Sequence, residues 1–135
     1  MGGVFLVIGA MFVGFAALIH VVIFALESVL WSRPATWKRF GLMSQEAADT
    51  VRPMAYNQGF YNAFLALGAG AGLVMIASAS VRGEGIALTI FVCLSMLLAS
   101  VVLITSNPSL VRAAATQGVA PLIALIFLAL SLTAA

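Results

Sequence analysis

An all-α membrane protein, a four-transmembrane-helix bundle, is what this sequence predicts, and three observations carry the prediction. The composition is 64% hydrophobic and 7% charged, with a mean hydropathy of +1.20. A water-facing surface needs roughly 25–35% charged residues. The apolar residues gather into four runs, at about 4–30, 54–80, 86–106 and 108–133, each long enough for a hydrocarbon layer of ~30 Å. Turn residues and prolines separate the runs, and no period-2 alternation of strands is present. The chain is read as a single integral membrane domain, 1–135, with the lipid bilayer as its surroundings. Six basic residues and a net charge of +2 form no stripe that would hold nucleic acid.

The first run covers roughly 27 residues, or ~40 Å at ~1.5 Å per residue, so it must tilt or project into the headgroups. Met1-Gly2-Gly3-Val4 has no basic flank, and the apolar run outlasts the core of a signal peptide, so a retained helix is expected. Trp31 and Trp37 mark an interface, because indoles favour the headgroup level. Arg33-Pro34 ends the helix, since proline disfavours helical geometry in the residue before it.

Residues 32–53 form the one long polar connection. Ser44 ahead of Gln45-Glu46-Ala47-Ala48-Asp49 reads as an N-cap, and Pro53 as the stop of a short helix lying on the membrane surface. The Val81-Arg82-Gly83-Glu84-Gly85 turn joins the second and third spans. Asn107-Pro108 then places a cap and a first-turn proline ahead of the fourth. Counted from Val119 alone, that last span would reach only ~22 Å, so it is taken to begin near Pro108 and to bend around Gly118 and Pro121. The connections after spans one and three hold Arg33, Lys38, Arg39, Arg52 and Arg112, whereas the one after span two holds Arg82. The positive-inside rule therefore predicts a first and third loop in the cytoplasm, with the N- and C-termini outside.

Against this apolar background the polar residues of the first two spans stand out. Tyr56, Asn57, Gln58, Tyr61 and Asn62 put five hydrogen-bonding side chains into seven residues where span two opens. Lipid supplies no partners for them. His20 and Glu27, two helical turns apart on span one, share a face, with Tyr56, Asn57 and Gln58 near the depth of Glu27 and Tyr61 and Asn62 reaching towards His20, which lies ~10 Å deeper. Facing spans would bring a carboxylate, an imidazole, phenols and amides into one cytoplasm-side pocket, and these seven residues are the candidate ligand-binding set. A carboxylate near a helix C-terminus meets the negative end of the macrodipole, so Glu27 needs an offset. That offset is an ion pair with Arg33, Arg52 or Lys38, a proton, or a bound cation. His20 is read either as a structural hydrogen-bonding group or as part of a functional site. Haem would need bis-His ligation across a dimer. One histidine and one intramembrane acid fall short of a metal centre.

Other signals are bland. Cys93 lies alone in an apolar run, which excludes an intrachain disulfide and a CxxC site. Gly68 and Gly72 have the spacing that lets membrane helices approach closely, within the chain or between copies. No nucleotide-binding loop and no nucleophile arrangement is present, so no catalytic residue is assigned.

The residues His20, Glu27 and Trp31, then Asn57-Gln58-Gly59-Phe60-Tyr61-Asn62-Ala63-Phe64-Leu65-Ala66, and finally Gln117-Gly118-Val119-Ala120-Pro121, resemble a family of small bacterial integral membrane proteins known as domain of unknown function 1304. The resemblance covers essentially the whole chain. It implies a four-helix protein of the bacterial inner membrane and carries no activity or cofactor with it. The function expected from the residues is binding or transport of a small polar or cationic solute. The alternatives are a redox or lipid-modifying enzyme taking a quinone, haem or lipid headgroup in the same pocket, and an accessory subunit of a larger membrane complex. A chain this small is expected to form a homo-oligomer.

Overall fold

The computed structural model describes residues 1–134. Helix α1 (Gly2–Phe24) continues directly into a π-helical turn, Ala25–Val29. A loop follows that carries the one-turn helix α2 (Pro34–Trp37) and a 3-10 turn, Lys38–Phe40. Three long helices complete the chain: α3 (Gln45–Ala77), α4 (Arg82–Ser106) and α5 (Val111–Thr133). Single 3-10 turns, Ala79–Val81 and Pro108–Leu110, join α3 to α4 and α4 to α5. Four segments are long and apolar enough to cross a membrane: Gly2–Val29, Gln45–Ala77, Ala79–Ser106 and Pro108–Thr133. Helices suit that setting because every backbone donor and acceptor is satisfied within its own segment.

The four long helices form a ring. α1 packs against α3 and α5, and α4 packs against the same two from the opposite corner. Val13 and Ala16 of α1, Ala69 of α3, Val92, Cys93 and Met96 of α4, and Ala124 and Leu128 of α5 meet in the middle. Between membrane helices there is no hydrophobic drive beyond what lipid offers, so close backbone approach does the holding. The crossing of α3 and α4 depends on this: a Cβ on Gly85 would stand 2.6 Å from the Ile76 nitrogen and 2.8 Å from the Gly72 oxygen. The Gly72 spacing seen in the sequence thus serves packing inside the chain, and Gly68 likewise abuts Val92 of α4.

The surface helix in the first loop is present, but it is made by residues 34–40. Ser44 does cap a helix, accepting a hydrogen bond from the Ala47 amide at 3.1 Å. That helix is α3 itself, which runs through Pro53 and ends at Ala77. Proline removes one amide and so frees the Asp49 carbonyl. Asp49 is exposed, so that carbonyl lies where solvent can reach it, and the helix continues. The second span is therefore longer at its start than 54–80, and the third starts at Arg82 rather than 86. The last span runs as one α-helix through both Gly118 and Pro121.

Trp31 and Trp37 are turned inward, 6% and 4% exposed, and do not point into the headgroups. With Ala48, Ala55, Phe40, Leu42 and Val51 they build a second, smaller core between the loop and the first turns of α3. The Trp31 indole donates to the Ala48 carbonyl at 3.0 Å and lies against the Phe40 ring. Gly41, at φ +81°, ends the 3-10 turn in the left-handed conformation that glycine adopts without strain and lets the chain turn back towards α3.

Candidate functional site

One polar link between α1 and α3 lies where α1 widens into its π-turn. The amide of Leu30 reaches back to the Ala25 carbonyl at 2.8 Å, so this turn holds one residue more than an α-turn. Such turns are rare and gather at functional sites. Within it, the Glu27 carboxylate accepts a hydrogen bond from Asn62 Nδ2 at 3.0 Å. The same Asn62 amide also donates to the Gln58 carbonyl at 3.0 Å, which fixes its orientation. Next to Glu27, the Ser28 hydroxyl donates to the Tyr56 carbonyl at 2.9 Å. Gly59 permits both contacts, since a Cβ there would run into the Ser28 hydroxyl. Among the described residues, Asn62 is the hydrogen-bonding partner of Glu27, and no basic side chain lies within ion-pair distance of it.

Glu27 lines a recess of about 90 Å³ with Ser28, Val29, Trp31, Ser32, Arg52 and Tyr56. The 33 residues of α3 span ~50 Å, whereas a ~30 Å hydrocarbon layer takes ~20 of them, so the helix is about 13 residues longer than a crossing needs.

Of the seven candidate residues, the structure joins Glu27 and Asn62 by side chains and adds Gln58 and Tyr56 through their backbone carbonyls. His20 is 1% exposed, on the buried row of Gly9, Val13 and Ala16, and its Nδ1 bonds the Ala16 carbonyl of its own helix at 2.9 Å. Tyr56 and Tyr61 are 54% and 56% exposed, and Asn57 and Gln58 also lie on the outer side of α3. The Tyr56 ring stacks on Phe60, which meets Phe24 of α1 edge-on across the helix seam. Small residues explain this sorting. Ala55, Gly59, Ala66, Ala69 and Gly72 form the buried row of α3. Asn62, three after Gly59 and four before Ala66, falls on that row; Tyr56, Asn57, Gln58 and Tyr61 do not. Ser28 and Ser32 were not singled out in the sequence, and Arg52 was named there only as a candidate ion-pair partner of Glu27. Their signal was adjacency, since Ser28 follows Glu27, and Arg52 lies one helical turn ahead of Tyr56. The described residues include no cluster of three or more His, Cys, Asp or Glu side chains that would hold a metal ion.

Comparison with known proteins gives one positive result. No curated protein and no solved structure matches the chain. A family model described as "Protein of unknown function (DUF1304)" matches residues 14–129, a stretch that takes in the π-turn, α2, α3, α4 and most of α5. On that match the chain belongs to the DUF1304 family of proteins of unknown function.

Proposed function

We propose that this protein is a single-domain inner-membrane protein of a bacterium that binds, and in binding passes on, a small cationic solute at Glu27. One observation carries the reading: a carboxylate at a widened helical turn, held by Asn62, lines a polar recess without a basic partner in ion-pair range. An uncompensated charge near hydrocarbon is costly, and a cation from outside the chain offsets it. Of the other residues singled out in the sequence, Tyr56 lines the recess, whereas His20, Asn57, Gln58 and Tyr61 do not line it. Orientation rests on the five basic residues of the first and third loops, which put the recess on the cytoplasmic side and both termini outside. Its volume, about 90 Å³, falls below the ~300–1,000 Å³ of pockets that enclose drug-sized ligands, which favours a compact group over a porphyrin or quinone ring.

The test is thermal unfolding of the detergent-purified protein in the presence of ethanolamine and related primary amines. At a hundredfold excess over Kd, a ligand stabilises by about 2.7 kcal/mol. Glu27→Gln keeps an acceptor for Asn62 and removes the charge, so the variant is expected to fold normally and lose the response to amines. An unchanged response in that variant would sink the reading.

A second reading, assembly into a homo-oligomer, is supported by the exposed Asn57, Gln58 and Tyr61 on one flank of α3. Amides donate and accept, so a twofold-related copy can pair with them. Light scattering of the Asn57→Leu/Gln58→Leu variant checks this: a mass equal to that of the unmodified protein would argue against assembly through that flank.

A further inference from the structure

Glu27 and Arg52 line one small recess, carry opposite charges, and are not paired with each other. Two unlike charges that share a recess without touching leave room for a group bearing both complements. From this geometry we infer that the ligand is a phospho-amine: a primary ammonium bound at Glu27, with a phosphate a short linker away at Arg52. The inference deepens the cation reading above and rests on it.

The chemistry of each end fits. The ionised carboxylate only accepts hydrogen bonds, and an ammonium offers three donors. Asn62 occupies one carboxylate oxygen and holds the group in place, leaving acceptor capacity on the recess side. The Ser28 hydroxyl donates its proton to the Tyr56 carbonyl, so its free lone pairs accept from the same ammonium. At the other end, the planar guanidinium of Arg52 matches phosphate in a two-pronged contact that a lysine cannot make. The exposure of Arg52 puts it on the rim, where a phosphate still attached to a larger molecule can reach it. The recess lies beside the first turns of α3, a helix about 13 residues longer than a crossing needs, which suits a ligand presented at headgroup level. The same phospho-amine also exists free in water, and the two sources are separable by experiment.

The experiment measures apparent affinity by thermal unfolding of the full chain in detergent. The probes are short-chain phosphatidylethanolamine, short-chain phosphatidylglycerol, free ethanolamine phosphate and ethanolamine. A phospho-amine is expected to bind about tenfold or more tighter than ethanolamine alone. Arg52→Gln, at an exposed position, is expected to fold normally, reduce that affinity to the level of ethanolamine, and leave the ethanolamine response intact. A response to the lipid alone assigns the headgroup as ligand, and a response to free ethanolamine phosphate as well assigns the soluble compound. If Arg52→Gln binds phospho-amines like the unmodified protein, or if phosphatidylglycerol does as well as phosphatidylethanolamine, the inference is overturned. The cation reading survives an unchanged affinity in Arg52→Gln, and falls if the unmodified protein shows no ethanolamine response or if Glu27→Gln keeps it.

Discussion

Gly85→Ala is expected to cost about 1–3 kcal/mol of stability, the range for forcing an extra methyl into a packed interior. The size follows from what the methyl would meet. It would stand 2.6 Å from the Ile76 nitrogen, 2.8 Å from the Gly72 oxygen and 2.8 Å from the Met75 Cβ. Two of these are backbone atoms of α3, which cannot rotate aside as a side chain can. The helices must separate, and separation loses the packing that replaces hydrophobic drive inside lipid. Thr89, whose hydroxyl bonds the Gly85 carbonyl at 3.0 Å, would be displaced as well. The matched control is Gly70→Ala, where a Cβ meets nothing within 4 Å. That change gains helix propensity and is expected to be neutral or slightly stabilising. Denaturation in mixed detergent micelles compares the two variants directly; equal midpoints would refute the close α3–α4 crossing.

The second large effect is expected from Trp31→Ala. Truncating a buried tryptophan removes about 3–5 kcal/mol where the surroundings cannot collapse. Here the loss falls on the small core built by Trp31, Trp37, Ala48 and Ala55, away from the centre of the bundle. It is therefore expected as a local opening of the loop, with the four long helices retained. Amide hydrogen exchange across residues 34–42 should accelerate strongly while exchange in α4 stays as before. Trp31→Phe separates the two contributions of the side chain. It keeps a ring against Phe40 but loses the indole donor to the Ala48 carbonyl, about 1 kcal/mol, together with part of the buried ring volume, so its loss is expected to exceed that figure and stay below that of Trp31→Ala. Uniform acceleration over all helices in Trp31→Ala would show that the loop is no separate unit.

Hydropathy alone disclosed the four spans, because a bilayer imposes both a length and an apolar surface on anything that crosses it. The cap at Ser44 was equally legible, since a serine hydroxyl followed by an acid-rich turn satisfies orphan amides in one way. Pro53 misled for an identifiable reason. A proline costs a helix its hydrogen bond, but at an exposed position the freed carbonyl is not stranded, and the steric rule alone does not say which case applies. The π-turn left no mark at all, since Ala25 to Val29 are residues that an ordinary helix accommodates. Within the candidate site, chain direction put Tyr56, Asn57 and Gln58 at the depth of Glu27 and Tyr61 and Asn62 nearer His20, whereas Asn62 reaches Glu27, about one helical turn from where depth alone set it. Which flank of α3 faced α1 required weighing the small residues 55, 59 and 66 above the polar ones, because closeness of backbones outranks polarity in choosing a membrane interface.

The inward-turned indoles of the loop have a spectroscopic consequence. The protein has two tryptophans, and both reside in the same small cap, so indole emission, excited beyond the absorption of the two α3 tyrosines, reports on that cap and not on the four rods beneath it. Far-ultraviolet ellipticity, by contrast, is dominated by the rods. A melting curve drawn from one observable therefore answers a different question from a curve drawn from the other, and no single midpoint describes the molecule.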